Sequence, residues 1–165
     1  MHIPSSTYRV QLHKDFTFKD LLQIIDYLHA LGISTIYSAP ILKSTKGSIH
    51  GYDVTDPHTI DPEIGTIEDL KTIADKLRSK GMTWLQDIVP NHMAFDTSNY
   101  RLMDVLERGP ASPFYNYFDI DWNHPSPSLK SKVMVPFLGS DLDTCVTNGE
   151  IKLAFTLKGF EIAYF

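Results

Sequence analysis

The sequence predicts an α/β fold built on a parallel sheet. Three observations predict it: apolar spacing switches twice from strand-like to helix-like, a glycine stands at each helix exit, and a carboxylate closes the third apolar run. Strand, helix, strand, helix, strand is the order of βαβ units, whose crossovers lay successive strands parallel.

Thr7-Tyr8-Arg9-Val10-Gln11-Leu12 alternates and is rich in β-formers, which predicts a first strand. Phe18, Leu21, Leu22, Ile25, Leu28 and Leu31 then recur at helical spacing, Thr17 with Asp20 makes a capping box, and Gly32 supplies a left-handed stop. Residues 17 to 31 are therefore predicted helical. Ile33-Ser34-Thr35-Ile36-Tyr37 reads as the second strand, and Ala39-Pro40 opens a long loop that runs to about residue 65. Thr66 with Asp69 caps a second helix whose inner face is Ile67, Leu70, Ile73, Ala74 and Leu77 and whose exit is Gly81. The third strand, Met82 to Val89, carries Asp87 near its end. Beyond His92, regular spacing gives way to Pro110, Pro113, Pro125, Pro127 and Pro136 and to an aromatic cluster of Phe114, Tyr115, Tyr117, Phe118 and Trp122. Such a cluster reads mainly as a satellite core under a long loop.

An eight-stranded parallel barrel, (β/α)8, typically needs about 250 residues. Only three strand units are visible in 165 residues, so the chain reads as the N-terminal part of a barrel. Residues 1–92 would form that part, and residues 93–165 an incomplete inserted subdomain after strand 3. The open barrel edge is expected to self-associate.

With 42% apolar and 21% charged residues, the composition excludes a disordered chain. No run approaches the roughly 20 apolar residues of a membrane helix. The opening Met-His-Ile-Pro-Ser-Ser lacks the charged head and apolar middle of a signal peptide, so a cytoplasmic location is expected. The lone Cys145 cannot form an internal disulfide, and no cysteine pair has zinc spacing. A net charge of -5 with scattered Lys and Arg offers nucleic acid no footprint and suits a neutral ligand.

Two constellations carry chemistry. In His50-Gly51-Tyr52-Asp53, the Tyr52 ring offers a flat apolar face for the C–H side of a pyranose, and Asp53 can accept from adjacent sugar hydroxyls. A polar surface turn with Asp53 capping backbone N–H groups is the plainer account of the same tetrapeptide. His50, Asp53, Asp56 and His58 invite a metal reading, but they lie on a loop without helical register, and no metal is expected. In Asp87-Ile88-Val89-Pro90-Asn91-His92, a strand end delivers a carboxylate, an amide and an imidazole to the side of the sheet where barrel active sites lie. Buried there, Asp87 needs an Arg or a substrate hydroxyl to answer it. The competing reading is an Asp that caps a turn beside a structural histidine. No Gly-x-Ser-x-Gly elbow or glycine-rich phosphate loop occurs.

At these motifs, and at Gly65-Thr66-Ile67-Glu68-Asp69-Leu70, the chain resembles the α-amylase superfamily of (β/α)8 barrels. Within it the resemblance is to the branch that forms trehalosyl ends on maltooligosaccharides. It is carried by Ser6 to Leu12, Ser38-Ala39-Pro40, Val89 to Met93, Phe118 to Trp122 and Lys132 to Gly139. The resemblance implies an isomerase: a mutase that turns the reducing-end α-1,4 linkage into an α,α-1,1 linkage by retaining intramolecular transglycosylation, without cofactor or metal. It implies that Tyr52, Asp53, Asp87, Asn91 and His92 bind or orient the glucose at the cleavage point. The nucleophile and the acid/base, which a retaining reaction holds about 5 to 5.5 Å apart, would lie beyond Phe165. Residues 1–165 alone are then expected to be inactive. A maltooligosaccharide hydrolase or transferase of the same superfamily, or a non-catalytic glucan-binding module, would use the same motifs.

Overall fold

The computed structural model describes residues 3–133, 138–157 and 159–164. The resemblance-bearing run from Lys132 to Gly139 therefore lies partly outside the described residues. The chain divides into two compact units, Met1–Phe118 and Asp119–Phe165.

In the first unit, β1 (Thr7–Val10), β2 (Thr35–Ser38) and β5 (Thr83–Gln86) form a three-stranded parallel sheet in the order β1-β2-β5. The register sets Tyr8 beside Ile36 and Ile36 beside Trp84 on one face, and Arg9 beside Tyr37 and Tyr37 beside Leu85 on the other. Strand side chains alternate between faces. The first face packs on helices α1 (Phe18–Ala30) and α2 (Ile67–Ser79), and the core joins Val10 and Ile36 to Phe18, Leu21, Ile25, Leu28, Ile73 and Leu77. Each such aliphatic or aromatic side chain contributes about 1.5–3 kcal/mol on full burial. Among the described residues no helix packs on the second face, where Leu85 is 49% exposed.

Both helices start and stop as their sequence requires. Asp69 Oδ2 accepts from the Thr66 backbone N–H at 2.9 Å while Thr66 Oγ1 accepts from Asp69 N–H at 3.1 Å. Asp20 Oδ2 likewise accepts from Thr17 N–H at 2.8 Å. Past each helix the chain turns back through a left-handed glycine, with Ile33 N–H donating to Leu28 O and Met82 N–H to Leu77 O.

Where a long structureless loop is expected up to residue 65, the structure instead has the antiparallel pair β3 (Leu42–Ser44) and β4 (Val54–Ile60). Pro57 and two register shifts break the alternation that would have marked these strands in sequence. Asp61 secures the pair, accepting from Ser44 N–H at 3.0 Å and Ser44 Oγ at 2.6 Å.

The first unit runs past residue 92 to Phe118 because the segment after β5 is tied back to β4. Ala94 N–H donates to Val54 O, and Arg101 on α3 (Tyr100–Arg108) pairs with Asp56 at 2.9 Å. The Arg101 guanidinium also lies over the rings of Tyr100 and Phe114, and Tyr117 meets Phe114 edge-on.

The second unit contains α4 (Leu142–Thr147), capped by Asp141, and a hairpin of β6 (Ile151–Thr156) and β7 (Gly159–Tyr164). Cys145 is buried beside Ser140. Among the described residues, no helix is long and apolar enough to cross a membrane.

Candidate functional site

The C-terminal ends of β2 and β5 meet the loop between β3 and β4 at Asp87. Its backbone N–H continues the strand ladder by donating to Ser38 O at 3.0 Å. Gln86 fastens the same point, donating from Nε2 to Ala39 O at 3.1 Å while its Oε1 accepts from Trp84 Nε1 at 3.0 Å. The carboxylate is thus held by strand geometry rather than by a mobile loop.

Asp87 is half-buried, and two phenols answer it. Tyr52 donates to Oδ2 at 2.5 Å and Tyr37, from β2, donates to the same oxygen at 3.2 Å. The expectation that an Arg or a substrate hydroxyl must answer Asp87 is corrected here, because tyrosine hydroxyls supply the contacts. Among the described residues nothing bonds to Oδ1. The Tyr52 hydroxyl is held above its ordinary ionisation range by the hydrogen bond to anionic Asp87, with Arg9 opposing.

The turn that presents Tyr52 is knotted by Asp53. Oδ1 accepts from Ser48 Oγ at 2.5 Å, and Oδ2 accepts a short hydrogen bond from Thr45 Oγ1. Ser48 Oγ in turn accepts from Gly51 N–H at 3.1 Å, and His50 Nδ1 accepts from Tyr52 N–H at 3.0 Å. Gly51 is needed at its position: φ is +75°, and an added Cβ would stand 2.8 Å from Pro40 O. Burial would raise the Asp53 carboxyl, but the Ser48 and Thr45 hydroxyls, its own backbone N–H and nearby His50 together hold the group below its ordinary value. Asp53 is therefore engaged by side-chain hydroxyls of its own loop rather than by the backbone N–H groups of a capped turn.

Asn91 and His92 are exposed, and their side chains approach each other at 3.3 Å. Among the described residues no hydrogen bond joins either to Tyr52 or Asp87. A cavity of about 130 Å³ is lined by Asp87 and Gln86 together with Pro40, Ile41, Val54, Ile88, Val89 and Met93. That is smaller than the roughly 300 to 1,000 Å³ of sites that enclose small ligands.

Two further residues belong to this rim. Arg9 on β1 donates from Nη2 to the Tyr52 hydroxyl at 3.2 Å and from Nη1 to Gln11 Oε1 at 3.1 Å. Arg9 on β1 and Gln11 just past its end are two residues apart, but nothing local linked them to a loop some forty residues later.

Residues 11–139 match the family model for the α-amylase catalytic domain. The chain belongs to the α-amylase family. Among relatives of this α-amylase-family chain, a putative maltooligosyl trehalose synthase of Mycobacterium tuberculosis is 42% identical over 84% of this chain and 18% of its own length. A cyclomaltodextrinase of Thermoanaerobacter pseudethanolicus is 36% identical over 67% of this chain and 19% of its own length. In structure, a maltooligosyl trehalose synthase superposes with a TM-score of 0.83 at 39% identity, covering 99% of this chain and 22% of that one. The maltooligosyltrehalose synthase of Arthrobacter ramosus gives 0.79 at 36% identity, covering 98% and 20%. The α-amylase-family chain thus spans about a fifth of the length of these relatives.

Proposed function

We propose that this chain supplies the sugar-gripping rim of an α-glucan mutase, an isomerase that converts the reducing-end α-1,4 linkage of a maltooligosaccharide into an α,α-1,1 linkage by retaining intramolecular transglycosylation. The observation that carries the reading is the hydrogen bond from Tyr52 to Asp87. It joins an aromatic platform and a carboxylate at the strand ends, the two groups a pyranose needs for stacking and for hydroxyl capture. Likeness to maltooligosyl trehalose synthases in sequence and in fold favours the mutase reaction. The cyclomaltodextrinase relative keeps a maltooligosaccharide hydrolase as the second reading.

In this reading β1, β2 and β5 are the first three strands of a (β/α)8 barrel. The helix-free face with Arg9, Tyr37 and Leu85 is its interior, and residues after β5 belong to an insertion. Tyr52, Asp53, Asp87, Asn91 and His92 bind or orient one glucose, and Asp53 also ties the loop that presents Tyr52. The catalytic carboxylates come from later strands, and the bare sheet face drives self-association of this piece.

Incubating the chain with maltopentaose tests the division of labour. The expected result is no loss of reducing ends and no trehalosyl product. Turnover to a trehalosyl product would overturn the placement of the catalytic carboxylates, and release of free sugar would favour the hydrolase.

A further inference from the structure

We infer that Arg9 is the positioning residue that aims Tyr52 at Asp87, with Gln11 setting Arg9. The inference rests on the glucan-binding reading and deepens it.

The donor and acceptor inventory fixes the direction of every bond in the chain of contacts. A guanidinium only donates, so Arg9 Nη2 occupies a lone pair of the Tyr52 oxygen and leaves that hydroxyl's one proton for Asp87. Gln11 is oriented in the same way: its Oε1 accepts from Arg9 Nη1, and its Nε2 donates to Ile49 O at 3.1 Å. Arg9 on β1 and Gln11 just past it therefore hold the loop at two points, Tyr52 and Ile49. Without Arg9 the Tyr52 hydroxyl could equally accept from water or rotate off the carboxylate, and the ring that a sugar would stack on would lose its fixed tilt.

Arg9 is exposed and lies on the face of the sheet opposite the helix-packed core. Its planar fork serves Gln11 and Tyr52 together, which a lysine ammonium, a point charge on a flexible stem, does poorly. These features separate positioning from general stability.

The test uses the full 165-residue chain labelled with [13Cζ]tyrosine, the Tyr52 resonance being assigned by its loss in Tyr52→Phe. Arg9→Met is expected to melt within a few degrees of the wild type, to move the Tyr52 resonance but not that of Tyr27, and to weaken maltopentaose binding about tenfold. Arg9→Lys is expected to lie between, about threefold weaker than the wild type. An unmoved Tyr52 resonance in Arg9→Met, or a moved one with unchanged affinity, would overturn the inference. Should the wild-type chain bind no maltopentaose, the glucan reading falls, and the Tyr52 resonance alone then decides whether Arg9 positions Tyr52.

Discussion

Tyr52 donates a 2.5 Å hydrogen bond to Asp87 across 35 positions of sequence. One partner stands on a loop knotted by its neighbour Asp53, the other at a strand end pinned by Ser38 and Gln86. Each is fixed independently, so their contact forms a preorganised rim.

Replacing Asp87 by Asn removes the anion that both Tyr37 and Tyr52 address. Hydrogen bonds to charged groups contribute about 1.5–3 kcal/mol, so Asp87→Asn should lower stability by about 2 kcal/mol. Urea unfolding followed by circular dichroism measures this, and an unchanged midpoint would show that the phenols find equal partners elsewhere.

Asp53 gives the loop a pH signature. Its folded-state pKa lies below the ordinary 3.8, so its stabilisation is complete above that value and is lost as pH falls through the depressed folded one. Asp53→Asn should be less stable than the wild type by about 1–2 kcal/mol at neutral pH, and the two should converge in acid. Thermal melts across the acid range read the difference. A constant gap at every pH would mean that the carboxylate charge is not what the hydroxyls stabilise.

Gly51→Ala should destabilise more than Gly32→Ala. Both glycines have positive φ, which costs an L-residue about 1–3 kcal/mol, but only at Gly51 does a Cβ meet backbone, at Pro40 O, whereas Gly32 faces open space. Equal losses for the two variants would argue against the close approach of this turn to Pro40.

Arg101→Met should be the most damaging of these changes. The Arg101 and Asp56 side chains are only 9% and 16% exposed, and removing Arg101 takes away the cation while Asp56 keeps only the His58 N–H and Thr59 hydroxyl, at a cost of about 3 kcal/mol. Limited proteolysis should then cut between β5 and α3, and resistance like that of the wild type would contradict the tie.

Much of the sheet and its helices was legible because the signals are local. Thr66 and Asp69 announce α2 within four residues, Leu21, Ile25 and Leu28 repeat at helical spacing, and Gly32 and Gly81 mark the exits. Asp87 was readable as a strand-end residue for the same reason. The β3–β4 pair was not, because its alternation is interrupted by Pro57 and register shifts. Arg9 and Gln11 were missed as rim residues because their partners, Tyr52 and Ile49, are brought near only by the fold. For Asp53, sequence allowed two roles, and the contacts from the Thr45 and Ser48 hydroxyls that tie its loop were not legible because neither partner is marked by local spacing.

Isothermal titration of the wild-type chain and Tyr52→Phe with maltopentaose tests the central claim most directly. Saturable binding by the wild type and about tenfold weaker binding by the variant are predicted, since the phenol that holds Asp87 is gone while the ring remains. Equal affinity of the two chains, or no binding by the wild type, would contradict the sugar-gripping role of this rim.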